Sequence, residues 1–274
     1  MGTVEDILNS TMLELYADGN KTFTFGDLKF FKQWYDTLNE TDKEDVKTVV
    51  QNGQLDLVNG GWMPPDEALT QYDSLLDSFQ LGQQFLWKEF EYQPRVSWQL
   101  DSNGVSQGYA RLAKDVGFDM LIFSSVSQAE KEMMRSKGKH MQIWRTSAKN
   151  FGKRKDVLAV TLDQGQNALN SYCWPKGFWA DTNYLIDSIT LNKNQSDYKL
   201  DDLVKSLYAD VTDRFDKDNS THLFQPFGCD MAYVDAKINY KIMDKLMVLW
   251  KELGFDKDVE IKYSSPAIFY QAVQ

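Results

Sequence analysis

The sequence predicts an α/β fold, in which a mostly parallel sheet is wrapped by helices. Apolar runs typical of strands, such as Arg95–Leu100 and Asp119–Phe123, alternate with helical patterns such as Lys237–Leu253. Parallel strands need a crossover of this kind, usually a helix, whereas antiparallel strands can be joined by a tight turn. With 274 residues, of which 42% are hydrophobic, the chain also has enough apolar material for one large core.

Local signals place the elements along the chain. Glycines, which tolerate a positive φ, mark helix ends at Gly53, Gly117 and Gly254. The predicted elements are, in chain order, a helix opened by the capping box Thr41–Glu44, a strand over Gln54–Asn59, a helix over Asp66–Phe90, a strand over Arg95–Leu100, a helix over Gln107–Val116, a strand over Asp119–Phe123, a helix over Leu200–Phe215, a strand over His222–Phe227, a helix over Lys237–Leu253 and a strand over Val259–Tyr263. The stretch Ser147–Asn194 has no clear period and is predicted to be a long excursion over one end of the sheet.

Charge and motif content argue against several function classes. A net charge of −10 and a pI of about 4.8 disfavour nucleic acid or an anionic membrane as partner. No apolar run reaches the roughly 20 residues of a membrane span, and Met1–Ser10 lacks the pattern of a signal peptide. The chain has no Gly-rich phosphate loop, no Cys-x-x-Cys pair and no Gly-x-Ser-x-Gly elbow, so nucleotide, redox and serine-hydrolase chemistry lack support. Sequons that favour a secretory-pathway ancestor begin at Asn9, Asn20, Asn39, Asn194 and Asn219.

Carboxylates follow three of the predicted strands. Asp101 comes directly after the strand Arg95–Leu100, Asp230 follows the strand His222–Phe227, and Asp66 and Glu67 follow another strand after a short loop. Because ligands bind at the carboxyl ends of parallel strands, we expect Asp101, Asp230 and Asp66 to open onto one cavity. Glycoside cleavage needs one carboxylate to attack and one carboxylic acid to protonate, and Asp101 with Asp230 could form that pair. Ordinary alternatives are a turn at Asp101, a helix cap at Asp230 and acids at a helix start for Asp66 and Glu67.

Histidine, tryptophan and cysteine give weaker indications. His140 and His222 lie far apart in sequence and form no metal-binding motif. Tryptophans near predicted strand ends or in the long excursion could grip a sugar face, although most are expected in the core. They are Trp62, Trp98, Trp144 and Trp174. Cys173 and Cys229 permit one disulfide at most.

A long motif that includes the first predicted strand resembles one family. The chain reads Gly-Gln-Leu-Asp-Leu-Val-Asn-Gly-Gly-Trp over Gly53–Trp62 and Asp-Glu-Ala over Asp66–Ala68. This resembles glycoside hydrolase family 38, whose lysosomal-type α-mannosidases read Gly-Gln-Leu-Glu-Phe-Val-Asn-Gly-Gly-Trp and Asp-Glu-Ala at the same spacing. Shorter likenesses occur at Pro94–Trp98, Gly117–Asp119, Trp144–Arg145, Cys173–Trp174, Gly228–Asp230 with Tyr233, and Tyr263–Ala267.

The resemblance implies an enzyme and a site. Members of this family are retaining, zinc-dependent exo-mannosidases that remove terminal α-mannose from N-glycans in the lysosome or vacuole or after secretion. The chain would be one partial N-terminal catalytic domain over residues 1–274, an incomplete β/α barrel of the seven-stranded type without its first strand. Asp101 would be the nucleophile and a zinc ligand, and Asp230 the acid/base, by their place in the matching motifs. Trp62, Asp66 and Tyr233 would bind substrate.

Departures from the family motif bear on zinc. The family strand ending in His-x-Asp-x-Gly-Trp has no match before Val4, and a further family histidine has no counterpart up to Gln274. Of the four protein ligands only Asp101 is matched, and catalytic zinc sites use about three, so this chain alone is not expected to hold zinc. The family disulfide near Cys173 lacks its usual partner, which implies a free Cys173 thiol.

Three hypotheses follow from the matches and the departures. The first is an incomplete α-mannosidase domain that has activity only with the missing ligands. The second is a catalytically inactive carbohydrate-binding or interaction module, favoured by the residues that replace the family's Pro, Phe and His in the loop after Asp101, namely Ser102, Asn103 and Val105. The third, an unrelated α/β domain, would require the match over Gly53–Ala68 to be chance.

Overall fold

The computed structural model describes residues 2–69, 71–100, 102–162, 200–217, 220–228 and 232–274. Asp101, Asp230, Cys173, Cys229 and Trp174 lie outside the described residues. The predictions for the catalytic pair and for the Cys173 thiol therefore stay predictions. The chain divides into two compact units. One is formed within Met1–Lys21, Asn167–Asp216 and Gln225–Tyr263, and the other within Thr22–Gln166, Lys217–Phe224 and Ser264–Gln274.

Helices and short strands alternate through most of the described chain. The helices are α1 (Gly2–Ala17), α2 (Leu28–Tyr35), α3 (Glu40–Gln51), α4 (Tyr72–Phe90), α5 (Gln107–Asp115), α6 (Gln128–Ser136), α7 (Ala148–Phe151), α8 (Leu200–Lys217), α9 (Ala236–Glu252) and α10 (Pro266–Ala272). The strands are β1 (Phe23–Phe25), β2 (Leu55–Leu57), β3 (Val96–Gln99), β4 (Met120–Phe123), β5 (Met141–Arg145) and β6 (Asp156–Thr161). Among the described helices, none is long and apolar enough to cross a membrane.

The strands form two sheets in the second unit. β1 and β2 pair in parallel, and the other sheet has the order β3-β4-β6-β5. β4 pairs in parallel with β3 and with β6, whereas β5 runs antiparallel to β6 at the edge. The predicted α/β class with a mostly parallel sheet is therefore confirmed.

The central strand β4 shows why the sheet needs helices on both faces. Met120 and Ile122 belong to the apolar cluster on one face, and Leu121 and Phe123 to the cluster on the other, all of them buried. Alternate side chains of a strand point to opposite faces, so an uninterrupted apolar run fits a strand covered on both sides. Residues of α4 and α5 fill one cluster, and Phe269 of α10 fills part of the other.

Two strand predictions are wrong. His222–Phe227 forms no strand; it includes Pro226, which has no N–H to donate, and its Phe224 ring packs 5.9 Å from the Trp98 ring and 5.4 Å from the Phe269 ring. Val259–Tyr263 forms no strand either, because a side chain takes the place of a neighbouring strand: the indole N–H of Trp250 donates to the Val259 carbonyl at 2.8 Å. In both segments the apolar pattern reflects packing rather than sheet pairing.

Helix starts also differ from the predictions. α3 is capped by Asn39, whose side chain accepts from the Asp42 N–H at 3.0 Å, so the predicted capping box Thr41–Glu44 already lies inside the helix. α4 begins at Tyr72 rather than Asp66, because the Asp66 carboxylate accepts from the Ala68 N–H at 3.0 Å and closes a local turn instead. The predicted excursion from Ser147 is corrected as well, since it contains strand β6.

A buried carboxyl group in β2 anchors the last helix of the chain. Asp56 is 3% exposed and accepts from the Tyr92 hydroxyl and from the Ala267 N–H, both at 2.7 Å. Burial raises the pKa of Asp56, while the bonds from Tyr92, Ala267 and Ser265 oppose that rise. Because Ala267 lies in the first turn of α10, this contact fixes the helix end against the small sheet.

Aromatic and ionic contacts organise the first unit. Lys21 pairs with Glu14 at 2.6 Å, and its ammonium lies 5.1 Å from the centre of the Tyr240 ring. The Tyr208 ring stacks on Phe255 with centroids 3.9 Å apart. These contacts tie α8, α9 and the turn after α9 together with the segment that follows α1.

Candidate functional site

Asn59 joins the end of β2 to strand β3. Its backbone has a φ of 63°, a left-handed conformation that asparagine tolerates better than most residues. The buried side chain accepts from the Trp98 N–H at 2.6 Å and donates to the Trp98 carbonyl at 2.8 Å. The Asn59 N–H also donates to the Val96 carbonyl at 3.2 Å. A side-chain amide thus takes the place of a peptide group between the two sheets.

The glycines after Asn59 allow the chain to lie directly on α4. A methyl group at Gly82 would come within 2.2 Å of the Gly60 carbonyl oxygen and 2.9 Å of the Gly61 carbonyl carbon. The Trp62 N–H donates to the Ser78 carbonyl at 2.9 Å one turn earlier on the same helix. The position of half-buried Trp62 after β2 therefore depends on the close packing of Gly60 and Gly61 against Gly82.

Asp66 contacts the loop that follows β3. One of its carboxylate oxygens accepts from the N–H and the side-chain amide of Asn103, each at 3.1 Å, and the other accepts from the same side-chain amide at 3.1 Å. The bond from the Ala68 N–H, followed by the bond from the Asn103 N–H, lowers the pKa of Asp66. The Asp66 side chain is thus held in its charged form by this chain's own donors.

Glu67 and Pro65 contact the same loop and strand. The Glu67 carboxylate accepts from the Ser106 N–H at 2.5 Å, and the Pro65 carbonyl accepts from the Gln99 side chain at 3.2 Å. Ser106 is the N-cap of α5, where its hydroxyl accepts from the Tyr109 N–H at 3.0 Å. The segment Pro65–Glu67 therefore reaches both the end of β3 and the start of α5.

The two residues next to Asp101 in sequence are fixed by other bonds. The Leu100 carbonyl accepts from the Ser124 hydroxyl at 2.9 Å, which ties the end of β3 to the end of β4. Ser102 is buried, and its hydroxyl donates to the Gly104 carbonyl at 2.7 Å in a turn where Gly104 has a φ of 102°. Asp101 itself lies outside the described residues, between these two anchored neighbours.

The first unit holds the residues on either side of Asp230. Tyr233 is buried with a φ of 69°, and its hydroxyl donates to the Phe227 carbonyl at 2.9 Å. Gly228 has a φ of 136°, and a methyl group there would lie 3.1 Å from the Tyr233 ring. Burial raises the pKa of Tyr233. The Tyr233 hydroxyl therefore bonds to the backbone of Phe227, which precedes Asp230 in the chain. The predicted contact of Tyr233 with substrate stays a prediction.

Comparison with known proteins identifies the family. The family model described as "Glycosyl hydrolases family 38 N-terminal domain" matches residues 2–274. The chain belongs to glycosyl hydrolase family 38. The family 38 resemblance inferred from the Gly53–Ala68 motif is thereby confirmed.

Relatives of this family 38 domain include lysosomal alpha-mannosidases. That of Dictyostelium discoideum is 30% identical over 98% of this chain, and that of Homo sapiens is 28% identical over 97%. Each match covers 26% of the relative, so the chain spans about a quarter of their length. The crystal structure of an alpha-mannosidase from Enterococcus faecalis V583 aligns over 99% of this chain and 27% of its own, with a TM-score of 0.68 and 14% identity. That likeness supports the fold of the family 38 domain.

The described part of the family 38 domain contains no group of three or more His, Cys, Asp or Glu residues placed to hold a metal ion. His222 is exposed and its Nδ1 lies 3.0 Å from the Thr221 hydroxyl. His140 is buried, and its carbonyl accepts from the Thr161 N–H at 2.8 Å, which places it at the carboxyl end of β6. Sequence reasoning missed this placement because strand β5 was not predicted, although its alternating apolar residues Met141 and Ile143 signal a strand.

Two of the tryptophans considered for sugar binding pack within the family 38 domain. The Trp98 ring meets Phe224 edge-on at 5.9 Å, and the Trp144 ring lies 6.0 Å from the Phe123 ring. Both belong to the partly buried surroundings of the apolar clusters, as the core alternative predicts. The predicted sugar contact of Trp62 stays a prediction, and Trp174 lies outside the described residues.

Proposed function

We propose that this domain carries the reacting pair of a retaining α-mannosidase, with Asp101 as nucleophile and Asp230 as acid/base. The observation that carries the proposal is the hydrogen-bonded frame around the loop after β3. Leu100 is held by Ser124 on one side of Asp101, and Asn103 is held by Asp66 on the other. A nucleophile needs a fixed approach to the anomeric carbon, and rigid neighbours at the carboxyl end of a strand provide one. The family and the names of its relatives support the same chemistry.

The chemistry requires two carboxyl groups with different protonation states. Asp101, ionised, would attack the anomeric carbon of a terminal α-mannose and form a glycosyl-enzyme ester, while Asp230 would give its proton to the leaving oxygen. Asp230, now ionised, would take a proton from water, and that water would release mannose and free Asp101. Trp62 would offer an aromatic face to the sugar ring, and Tyr233 and Asp66 border the segments that carry the acids.

The wider setting follows from the family. We propose residues 1–274 as one partial catalytic domain whose parallel strands belong to an incomplete β/α barrel of the seven-stranded type. Its substrates would be mannose-containing oligosaccharides such as N-glycans, and nucleic acid would not be a partner. The lysosomal relatives and the sequons support a lysosomal, vacuolar or secreted location and a role in mannose metabolism.

Zinc does not fit the residues that are described. The resemblance assigns the family's metal to four protein ligands, of which this chain matches Asp101 alone, and no described cluster replaces the others. A single carboxylate does not compete with water for a catalytic zinc ion, which uses about three protein ligands. We therefore propose that this chain by itself neither binds zinc tightly nor hydrolyses α-mannosides.

Zinc content and turnover of the purified chain test this proposal. After equilibration with zinc and dialysis, we expect the zinc content to be well below one ion per chain. We expect the chain to release p-nitrophenol from an α-mannoside no faster than the Asp101→Asn variant does. The Asp101→Asn variant is the matched control because it removes the nucleophile and keeps the side-chain volume. Stoichiometric zinc, with turnover that this substitution abolishes, would show that the ligand count is wrong.

A second candidate function is a carbohydrate-binding module without catalysis. The loop after Asp101 favours it, because Ser102, Asn103 and Val105 replace the family's Pro, Phe and His, and the Asn103 side-chain amide makes bonds to Asp66 that phenylalanine cannot make. Binding of a mannose oligosaccharide by the chain, lost in Trp62→Ala and unaffected by added zinc, would favour this alternative over an incomplete enzyme.

A further inference from the structure

We infer that Asp66 and Glu67 are positioning residues, whose carboxylates hold the loop Ser102–Ser106 and thereby set the approach of Asp101. Ser102–Ser106 is the anchored loop. The inference rests on the proposed function, since it is Asp101 in its role as nucleophile that needs this positioning.

The two carboxylates grip the anchored loop near its start and at its end. Asp66 accepts from the Asn103 N–H and side-chain amide at 3.1 Å, and Glu67 accepts from the Ser106 N–H at 2.5 Å. Hydrogen bonds to ionised acceptors are roughly twice as strong as neutral ones, so each holds its backbone N–H firmly. The positions gripped are two and five residues after Asp101 in the chain.

The ordinary alternative for these acids does not account for their contacts. Acids near a helix N-terminus are stabilised by the helix dipole without any other role, an effect that fades beyond the first turn. α4, however, begins at Tyr72, several residues after Glu67, so neither carboxylate lies in its first turn. Their partners are the N–H groups of the anchored loop, thirty-seven and thirty-nine positions further along the chain.

The Asn103 side chain adds bonds to the Asp66 contact that the family's residue cannot make. The family motif has phenylalanine at this position, and a phenylalanine side chain has no N–H to donate. Here the Asn103 amide adds bonds to both oxygens of Asp66 and supplements the backbone bond. The hydroxyl of Ser102, where the family has proline, closes the turn by donating to Gly104. The substituted residues thus contribute bonds that order the loop in which they occur.

The residues on either side of Asp101 in the chain are held by hydrogen bonds. The preceding residue, Leu100, is bonded to Ser124, and the following residue, Ser102, is buried. Releasing Asp66 would remove the restraint at Asn103, and releasing Glu67 would remove the one at Ser106, so each change loosens the side of Asp101 that follows it in the chain. Misplacement of a nucleophile by about 1 Å can cost on the order of a hundredfold in rate, so this restraint bears directly on the reacting geometry.

Residue-resolved amide exchange and carbon NMR test the inference without requiring activity. Asp66→Ala should speed exchange of the Asn103 amide by about tenfold or more, and Glu67→Ala should do the same for the Ser106 amide. Asp66→Asn keeps a carbonyl acceptor and should recover part of the protection at Asn103. Asp73→Ala, an exposed acid in the first turn of α4, is the charge-matched control and should leave both amides unchanged.

The Asp101 carboxyl provides the second readout. Its ¹³Cγ resonance, assigned through its loss in Asp101→Asn, should shift in Asp66→Ala and Glu67→Ala and stay in place in Asp73→Ala. Unchanged amide exchange, or faster exchange with an unmoved Asp101 resonance, would overturn the positioning role. Both readouts are independent of zinc and turnover, so failure of the proposed function in the mannoside assay is distinguishable from failure of this inference.

Discussion

Gly82→Ala should destabilise the second unit by about 3 kcal/mol, at the upper end of the usual cost of overpacking. The added methyl group would lie 2.2 Å from the Gly60 carbonyl oxygen and 2.8 Å from a Leu28 methyl group. The first contact is with backbone, which cannot rotate away, so α4 or the segment after β2 must shift. The better helix propensity of alanine returns only about 1 kcal/mol in an exposed helix and does not offset this clash.

Gly108→Ala is the matched control for this prediction. Gly108 also lies in a helix, but a methyl group there would meet only the Ser106 hydroxyl at an ordinary 3.5 Å. Urea unfolding should therefore show Gly108→Ala at or above the stability of the parent chain and Gly82→Ala well below it. Equal stability of the two variants would mean that α4 does not lie on the Gly60–Gly61 segment as described.

Asn59→Ala should lower the free energy of unfolding by about 3–5 kcal/mol, because it combines lost hydrogen bonds with backbone strain. The Trp98 N–H and carbonyl would both lose their partner in a buried place that water cannot readily reach. Alanine also tolerates the φ of 63° less well than asparagine.

Asn59→Gly separates the two contributions to that loss. Glycine relieves the backbone strain and still removes the amide, so we expect it to recover about 1 kcal/mol while most of the loss persists. Thermal unfolding of the parent chain, Asn59→Gly and Asn59→Ala should show stability that decreases in that order. Full recovery in Asn59→Gly would show that the side-chain bonds to Trp98 add nothing to the junction between the sheets.

Local signals in the sequence were sufficient for elements whose pattern and environment agree. β4 was predicted because its residues form an apolar run, and α5 because Gly117 ends a helical pattern. His222–Phe227 misled because apolar residues packed against Trp98 look the same in sequence as residues of a strand. The antiparallel strand β5 was missed because the alternation of Met141 and Ile143 is short and is interrupted by Trp144.

The sequence was sufficient to locate the candidate site along the chain, but not to predict the contacts between its residues. The motif Gly53–Ala68 identified the family, and Asp66 was placed after a strand as the structure has it. What Asp66 contacts depends on the path of a loop thirty-seven positions later, which no local pattern encodes. The interpretation of Asp66 and Glu67 as acids at a helix start failed for the same reason, since a long-range bond competes with the helix for them.

The separation of the Asp101 and Asp230 carboxyl groups in an experimental structure tests the central claim most directly. A retaining pair places them about 5–5.5 Å apart, which leaves room for the sugar and none for an intervening water. We expect that separation, within the reach of ordinary side-chain rotation, in a structure of the chain that resolves both residues. A separation much beyond about 5.5 Å, by more than side-chain rotation could close, would contradict the assignment of these two residues to one retaining active site.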